Sequence, residues 1–370
     1  MFYLSLPLAL VVLVAAHSAA RPFPHPTRWG RFLVVGAGVT AAPLFCMGFS
    51  PVAVGLFLLL IPTLLVWPIV RRRVPTFFPL SVAAALTAYG GAGWFALEQQ
   101  AAAERLRQKY SFESMADRVP EPRADLRTPA TGAAAIERFD QFEQATREGT
   151  FSSRAYQLRY LHEGTISAFV NSPGFGVARM MPPPTEESLK DHSERGETPS
   201  QPGSPAVWGS GEPFDLTPFA DRESLGALHT GGMRDFVNPQ GWGYVKDRTR
   251  VAGFLSHRFS KVPEAQTWRV QRIELVGLLK HPEPVVYLSD RLPAMAELQK
   301  APTRPLDAFE AAGLDAVRKG DDGFAARRGE VVRFVGGIRS AKQCVECHGG
   351  ARGDLLGAFA YTLRPSGDRP

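Results

Sequence analysis

Cysteine is scarce in this chain, which has three in 370 residues, at Cys46, Cys344 and Cys347. A structural zinc site takes about four nitrogen or sulfur ligands, and two cysteine pairs commonly supply them. Only Cys344 and Cys347 form a pair, because Cys46 lies alone in an apolar N-terminal run. The cysteine content therefore argues against a zinc site of this kind.

Acidic residues are missing from positions 1–97, which contain six arginines as their only basic residues. With these six set aside, 36 of the 42 lysines and arginines remain, against 36 aspartates and glutamates. The net charge of +6 therefore comes from the N-terminal region, and the rest of the chain is neutral. This distribution gives no basic face for a phosphate backbone and excludes nucleic acid as an expected partner.

Long apolar runs fill the same N-terminal region and predict a membrane region over residues 1–97. The stretch Phe32–Val70 is too long for one crossing of a hydrocarbon core of about 30 Å, and Pro51 marks a turn within it. Met1–Ala20 resembles a signal peptide, but its positive charges follow the apolar run, which favours an uncleaved helix. The four predicted transmembrane helices are 1–20, 32–49, 52–70 and 77–97.

The arginines predict how these helices are oriented. With four crossings, the loops that contain Arg21 to Arg31 and Arg71 to Arg73 fall on one side of the membrane. Positively charged loops are retained in the cytoplasm, so residues 98–370 are expected on the outer side.

The segment Cys344-Val345-Glu346-Cys347-His348 has the spacing at which c-type haem is attached. Residues i and i+3 share one face of a helix, so both thiols can reach one porphyrin, and the next residue, His348, can bind its iron. The alternative interpretation of this segment is a redox dithiol.

The remaining chain is predicted to contain a juxtamembrane helix and linker over 98–132 and a haem-binding α+β domain over 133–370. Residues 182–218 are rich in proline and polar residues, and they are predicted to form an exposed insertion in that domain.

An internal repeat lies in the first part of this domain. Residues 161–176 align without gaps on residues 228–243, with eight identities in sixteen positions. Each copy predicts a helix, and His162 and His229 fall on its apolar face. A histidine in that position is more often a core residue than a ligand, although a haem domain makes ligation a real alternative.

Strand patterns dominate from residue 241 onward. A hairpin is predicted across Asp247-Arg248, and Leu255, His257 and Phe259 share one face of its second arm by period-two alternation. His257 is thus another candidate ligand. The predicted order of elements has helices first and then an antiparallel sheet with an inserted helix. This order indicates the α+β fold class.

The residues around the haem motif resemble a known group of proteins. The motif followed by Gly349-Gly350, Gly353-Asp354 and Gly357-Ala358-Phe359 resembles small extracytoplasmic, PAS-like mono-haem domains. The runs LVGLLKHPEPVVYLSDRLPAM, APTRPLDAFE and FVGGIRSAKQCVECHGGARGDLLGAFAYTL are similar to membrane-anchored c-type cytochromes of bacteria. This similarity covers Leu161 to Leu363 without the insertion.

The resemblance implies one covalent haem c, with thioether links at Cys344 and Cys347 and with His348 as the proximal iron ligand. It does not supply the distal ligand. Some relatives use a cysteine there, but no cysteine other than Cys344 and Cys347 follows residue 97. His229 and His257 are the first candidates, His162 and Met233 are weaker ones, and an open position is the remaining alternative.

The resemblance further implies a multi-pass protein of the bacterial inner membrane whose periplasmic domain exchanges electrons with redox partner proteins or carriers. The expected role is electron transfer rather than enzyme catalysis. A haem-based redox or gas sensor is the alternative, but the sequence contains no recognisable output domain. An enzyme would need an open iron position with acid and base residues beside it, and no residue pattern indicates them.

Overall fold

The computed structural model describes residues 94, 97–126, 133–149, 154–171, 184–190, 198–201, 215, 219, 221–237 and 242–366. The chain divides into two compact units. The first holds Met1–Leu106 with Glu163–Pro183, and the second holds Arg107–His162 with Pro184–Pro370. The haem motif and the strands described below belong to the second unit.

The predicted four-helix membrane region and the predicted inner-membrane, multi-pass location need correction. Within the described residues, no helix is both long enough and apolar enough to cross a membrane. The described helix over 97–109 contains charged residues such as Glu104, Arg105 and Lys109. The predicted spans 1–20, 32–49 and 52–70, and all but two residues of 77–97, lie outside the described residues.

The described helices comprise four short ones and five longer ones. Their bounds are 97–109 (α1), Met115–Arg118 (α2), Ala133–Gly149 (α3), Arg154–Asn171 (α4), Glu186–Leu189 (α5), Arg222–Val237 (α6), Met295–Leu298 (α7), Ala308–Arg318 (α8) and Lys342–His348 (α9). A 3₁₀ turn covers Ala124–Leu126. The prediction of a helix in the first part of each repeat copy is confirmed, since α4 covers residues 161–171 and α6 covers residues 228–237.

The strands form a two-stranded hairpin and a six-stranded antiparallel sheet. Their bounds are Tyr244–Asp247 (β1), Arg250–Ala252 (β2), Trp268–Gly277 (β3), Val285–Tyr287 (β4), Thr303–Pro305 (β5), Gly323–Arg328 (β6), Val331–Arg339 (β7) and Leu355–Pro365 (β8). The strand order in the sheet is β5-β4-β3-β8-β7-β6. The described part of the chain is therefore a mixture of helices and antiparallel sheet.

Alternation along the central strands divides the core between two faces of the sheet. Ile273 and Tyr361 pair across β3 and β8 and pack against the apolar side of α6. The neighbouring pair Val276 and Ala358 points to the opposite side, where it packs in one cluster with Leu314 of α8. Because successive side chains on a strand point to opposite faces, one sheet supports two separate cores.

The start of α8 is fixed by a reciprocal pair of hydrogen bonds. The Glu310 backbone N–H donates to Asp307 Oδ1 at 2.8 Å, and the Asp307 backbone N–H donates to Glu310 Oε2 at 2.9 Å. This capping box satisfies two N–H groups that a helix end otherwise leaves unpaired.

The face of the sheet under α8 also contains a buried network of ion pairs. Glu310 is fully buried and binds the guanidinium of Arg304 at 2.6 Å and that of Arg333 at 2.7 Å. Arg304 also forms an ion pair with Glu274 at 2.8 Å, and Glu274 forms one with Arg272 at 3.2 Å. With Asp307 bound to Arg333, the network has equal numbers of positive and negative charges.

Two local predictions need revision. The hairpin across Asp247-Arg248 is confirmed, but its second strand ends at Ala252, so His257 lies in an irregular segment instead of on a strand. The described pieces of the proline-rich insertion are packed against the domain, since Leu189 is fully buried and Gln201 Oε1 accepts a hydrogen bond from the Ile273 N–H at 2.7 Å.

Glu310→Ala is expected to lower the free energy of unfolding by about 3–5 kcal/mol, because it removes a fully buried carboxylate that both Arg304 and Arg333 bind. Urea unfolding followed by circular dichroism measures the change. Lys319→Gln, which breaks the exposed pair with Asp315, is the control and is expected to have no resolvable effect. Equal losses in the two variants would show that the buried network does not contribute specifically to stability.

Candidate haem site

The haem motif lies on α9, a short helix between β7 and β8. Lys342 begins this helix and His348 ends it, so the expected helical turn through Cys344 and Cys347 is present. Gly349 follows with a φ of 71°, a conformation that favours glycine. A Cβ at Gly349 would also lie 2.9 Å from the Glu121 side chain, so the chain can turn closely here only without a side chain.

The N-terminal end of α9 is held by the carboxylate of Glu143 on α3. No side chain of the helix itself caps this end. Instead, the Lys342 backbone N–H donates to Glu143 Oε1 at 3.0 Å, and Arg352 Nε donates to the same oxygen at 2.8 Å. Glu143 is almost fully buried, and its negative charge at a helix N-terminus is favourable.

The C-terminal end of α9 is held by Arg248, from the turn between β1 and β2. Arg248 Nε donates to the Cys347 carbonyl at 3.0 Å, and its two terminal nitrogens donate to the Val119 carbonyl and to Glu121, each at 2.7 Å. A cation here binds a carbonyl of the last turn and complements the helix dipole. Sequence reasoning missed both Arg248 and Glu143, because each lies about 100 or 200 residues from its partner on α9.

The two cysteine side chains are half-buried and pack against separate apolar clusters. Cys344 contacts the core under α6, and Cys347 contacts the cluster of Met115, Val119 and Val251. Burial raises the pKa of Cys344 to about 11 and that of Cys347 to about 12, with nearby negative charges as smaller causes. Both thiols are therefore uncharged near neutral pH, whereas the thiols of redox-active pairs have lowered pKa values.

His348 is buried, and its Nδ1 has no hydrogen-bond partner among the described residues. Burial, with smaller effects from His257 and Arg248, lowers the pKa of His348 to about 3. A buried polar atom without a partner is costly, and such exceptions are associated with bound ions or with functional sites. The neutral imidazole is the form that binds a metal.

The ring of His257 lies close to the ring of His348. Their ring centres are 6.2 Å apart, and the ring planes are within 13° of parallel. His257 Nδ1 is 3.1 Å from the Val237 carbonyl oxygen, which can only accept, so Nδ1 carries the proton and Nε2 keeps its lone pair. Histidines that bind metals characteristically donate their other N–H to a carbonyl or carboxylate in this way.

The position of His257 is fixed by the end of α6. The Arg258 backbone N–H donates to the Phe236 carbonyl at 3.1 Å, and Ser260 N and Oγ donate to the Asp235 carboxylate at 2.8 and 2.6 Å. On its other side, the His257 carbonyl accepts from the Met295 N–H at 2.8 Å. Burial lowers the pKa of His257, so this imidazole is held neutral as well.

His229 is a buried core residue whose two ring nitrogens both have partners. Nδ1 is 3.0 Å from the Tyr361 hydroxyl, and Nε2 is 3.0 Å from the Gly337 carbonyl oxygen. Because the carbonyl can only accept, Nε2 is protonated and Nδ1 accepts from Tyr361. Neither nitrogen is left with a free lone pair for iron in this arrangement.

The two weaker candidates, His162 and Met233, have other surroundings. His162 Nε2 is 2.9 Å from the Tyr110 carbonyl oxygen, and its ring centre lies 4.2 Å from that of Phe112. Met233 lies on the buried side of α6, within the core that contains Ile273 and Phe359. Among the candidate histidines, His257 is the one whose ring contacts the ring of His348 in the described part of the chain.

The distance between His257 and His348 is suited to a haem iron. Two imidazoles on opposite sides of one metal, each bound at about 2 Å, have ring centres about 6.3 Å apart. The observed 6.2 Å agrees with this separation. Within the described residues, no group of three or more His, Cys, Asp and Glu side chains forms a metal site. Two imidazoles beside two uncharged thiols therefore fit a covalently attached haem.

Comparison with known proteins found no matching family model, no matching curated protein and no matching solved structure.

The pKa of His348 makes the stability of the haem-free chain depend on pH. The imidazole titrates near 6.5 when unfolded and near 3 when folded, so between these values the unfolded chain binds more protons. The test uses a Cys344→Ala/Cys347→Ala background, which cannot attach haem. In this background the free energy of unfolding is expected to fall from pH 6.5 to 4.5, and His348→Gln is expected to reduce that slope by about 1 kcal/mol per pH unit. Urea unfolding at the two pH values measures this, and equal slopes would contradict the assignment.

Proposed function

We propose that this protein is a mono-haem c-type cytochrome that transfers single electrons. One haem would be linked to Cys344 and Cys347, and His348 and His257 would bind its iron. The observation that carries the proposal is the nearly parallel pair of imidazoles, 6.2 Å apart, one of which belongs to the attachment motif. The location of α9 directly before the last strand supports a PAS-like haem domain of the kind the sequence resembles.

The choice of His257 over His229 is supported by their hydrogen bonds. His257 uses one nitrogen as a donor and keeps the lone pair of the other, whereas both nitrogens of His229 have partners in the core. Iron binding by His229 would break its hydrogen bond to Tyr361 or to Gly337 inside the packed core, and each broken buried hydrogen bond costs about 1–3 kcal/mol.

A bound haem would supply an iron centre that changes between ferric and ferrous states one electron at a time. The chain's own residues would hold that centre still. Arg248 and Glu143 fix the two ends of α9, and Val237 fixes the tautomer of His257. Phe236 and Phe254 flank the His257 ring at 5.5 and 6.2 Å and make its surroundings apolar. Two neutral imidazoles add no charge of their own when the iron changes oxidation state.

The rival functions are less well supported by the same residues. A redox dithiol needs a thiolate near neutral pH, and burial raises the pKa of both cysteines. A gas sensor or a peroxidase needs an open iron position, and His257 would fill it. Redox proteins or small electron carriers are the partners that this proposal requires.

Covalent attachment is the first test. The protein is produced together with a cytochrome c maturation system, and its mass is measured after denaturation. The expected result is a mass increase of one haem in the wild type and none in Cys344→Ala/Cys347→Ala. Cys46→Ala is the matched control and is expected to retain the haem. A wild-type mass without haem would refute the proposal.

The axial ligand is tested by absorption spectroscopy of purified holoprotein. The wild type is expected to be low-spin and not to bind carbon monoxide. His257→Ala is expected to become high-spin and to bind carbon monoxide, because it opens one iron position. His229→Ala removes a buried core histidine and is expected to lose stability but stay low-spin. A high-spin His229→Ala together with a low-spin His257→Ala would reverse the assignment.

A further inference from the structure

We infer that Trp242 is a positioning residue that raises the reduction potential of this site by sharing the Val237 carbonyl with His257. The inference rests on the proposed function and assigns a role to a residue that touches neither the motif cysteines nor His348 in the described contacts. It concerns how strongly His257 donates electrons to iron.

Two donors converge on one acceptor. Trp242 Nε1 donates to the Val237 carbonyl oxygen at 3.1 Å, and His257 Nδ1 donates to the same oxygen at 3.1 Å. Val237 is the last residue of α6, a helix of 16 residues, so its carbonyl lies at the negative end of the helix dipole. A carbonyl oxygen has two lone pairs and can accept both bonds.

The strength of the His257 bond affects the iron. When Nδ1–H donates a strong hydrogen bond, the imidazole gains basicity and becomes a better electron donor through Nε2. A better donor stabilises the ferric state and lowers the reduction potential, which is one of the ways a protein tunes a haem. A second donor on the same oxygen withdraws part of its electron density. Trp242 therefore weakens the His257 bond and raises the potential.

The backbone next to Trp242 holds the indole in this position. A Cβ on Gly243 would lie 2.2 Å from the Ala252 carbonyl oxygen, so the chain there passes very close to β2. Trp242 is half-buried and packs against the same core as Val237 and Phe236. The ring is thus held by packing, and its N–H has a fixed direction.

The test compares midpoint potentials of holoproteins by spectroelectrochemical titration. Trp242→Phe keeps an aromatic ring and removes the N–H donor, and it is expected to lower the midpoint potential while the spectrum stays low-spin. Benzothienylalanine at position 242 keeps the shape of indole and has sulfur in place of N–H. It is expected to give the same shift, which would show that loss of the donor, and not a change in packing, lowers the potential. An unchanged or raised potential in both variants overturns the inference.

Trp268→Phe is the matched control. Trp268 belongs to the same core and donates its N–H to Asp221 at 2.6 Å, so the variant loses a comparable bond without affecting Val237. It is expected to lose stability and keep the wild-type potential. An equal shift in this variant would show that the effect of Trp242→Phe is a general result of core damage, which also overturns the inference.

A double-mutant cycle isolates the shared carbonyl. In a His257→Met background the ligand has no N–H, so Trp242→Phe is expected to leave the potential unchanged. A shift of the same size in that background contradicts the mechanism. These outcomes are separate from failure of the proposed function, which would appear as absence of covalent haem or as a high-spin wild-type spectrum.

Discussion

The end of α6 is the constraint on which the candidate site depends. Its last residues bind the segment that follows β2 through three consecutive contacts, at Asp235, Phe236 and Val237. These bonds place His257 opposite His348 and fix which of its nitrogens is protonated. The same helix packs its apolar side on the sheet, so the position of the ligand is coupled to the main core of the domain.

The two faces of the six-stranded sheet are stabilised by different kinds of contact. The face under α6 is apolar and provides the surroundings in which neutral imidazoles and uncharged thiols are favoured. The opposite face contains the ion pairs of Arg304, Glu310 and Arg333 in addition to an apolar cluster. Buried charges on the haem side would change the electrostatic environment of the iron. On that side the charged groups next to the motif include Glu143 and Arg248, which bind the two ends of α9.

The local parts of this account could be predicted from the sequence. The spacing of Cys344, Cys347 and His348 indicates a haem turn, and the strand patterns from residue 241 onward predict an antiparallel sheet. The distal ligand could not be chosen, because His229 and His257 both follow apolar patterns, and the difference between them arises from Tyr361, Gly337 and Val237. The membrane prediction was based on hydropathy, charge and the resemblance to membrane-anchored cytochromes, and the described residues contain no helix that supports it.

The most direct test of the central claim is electron paramagnetic resonance of the ferric holoprotein, because this spectrum reports both the number of imidazole ligands and the angle between their planes. The account predicts a rhombic low-spin signal, as expected for two imidazoles within 13° of parallel. A high-spin signal would contradict it by showing an open iron position. A strongly anisotropic low-spin signal would contradict it by showing perpendicular rings.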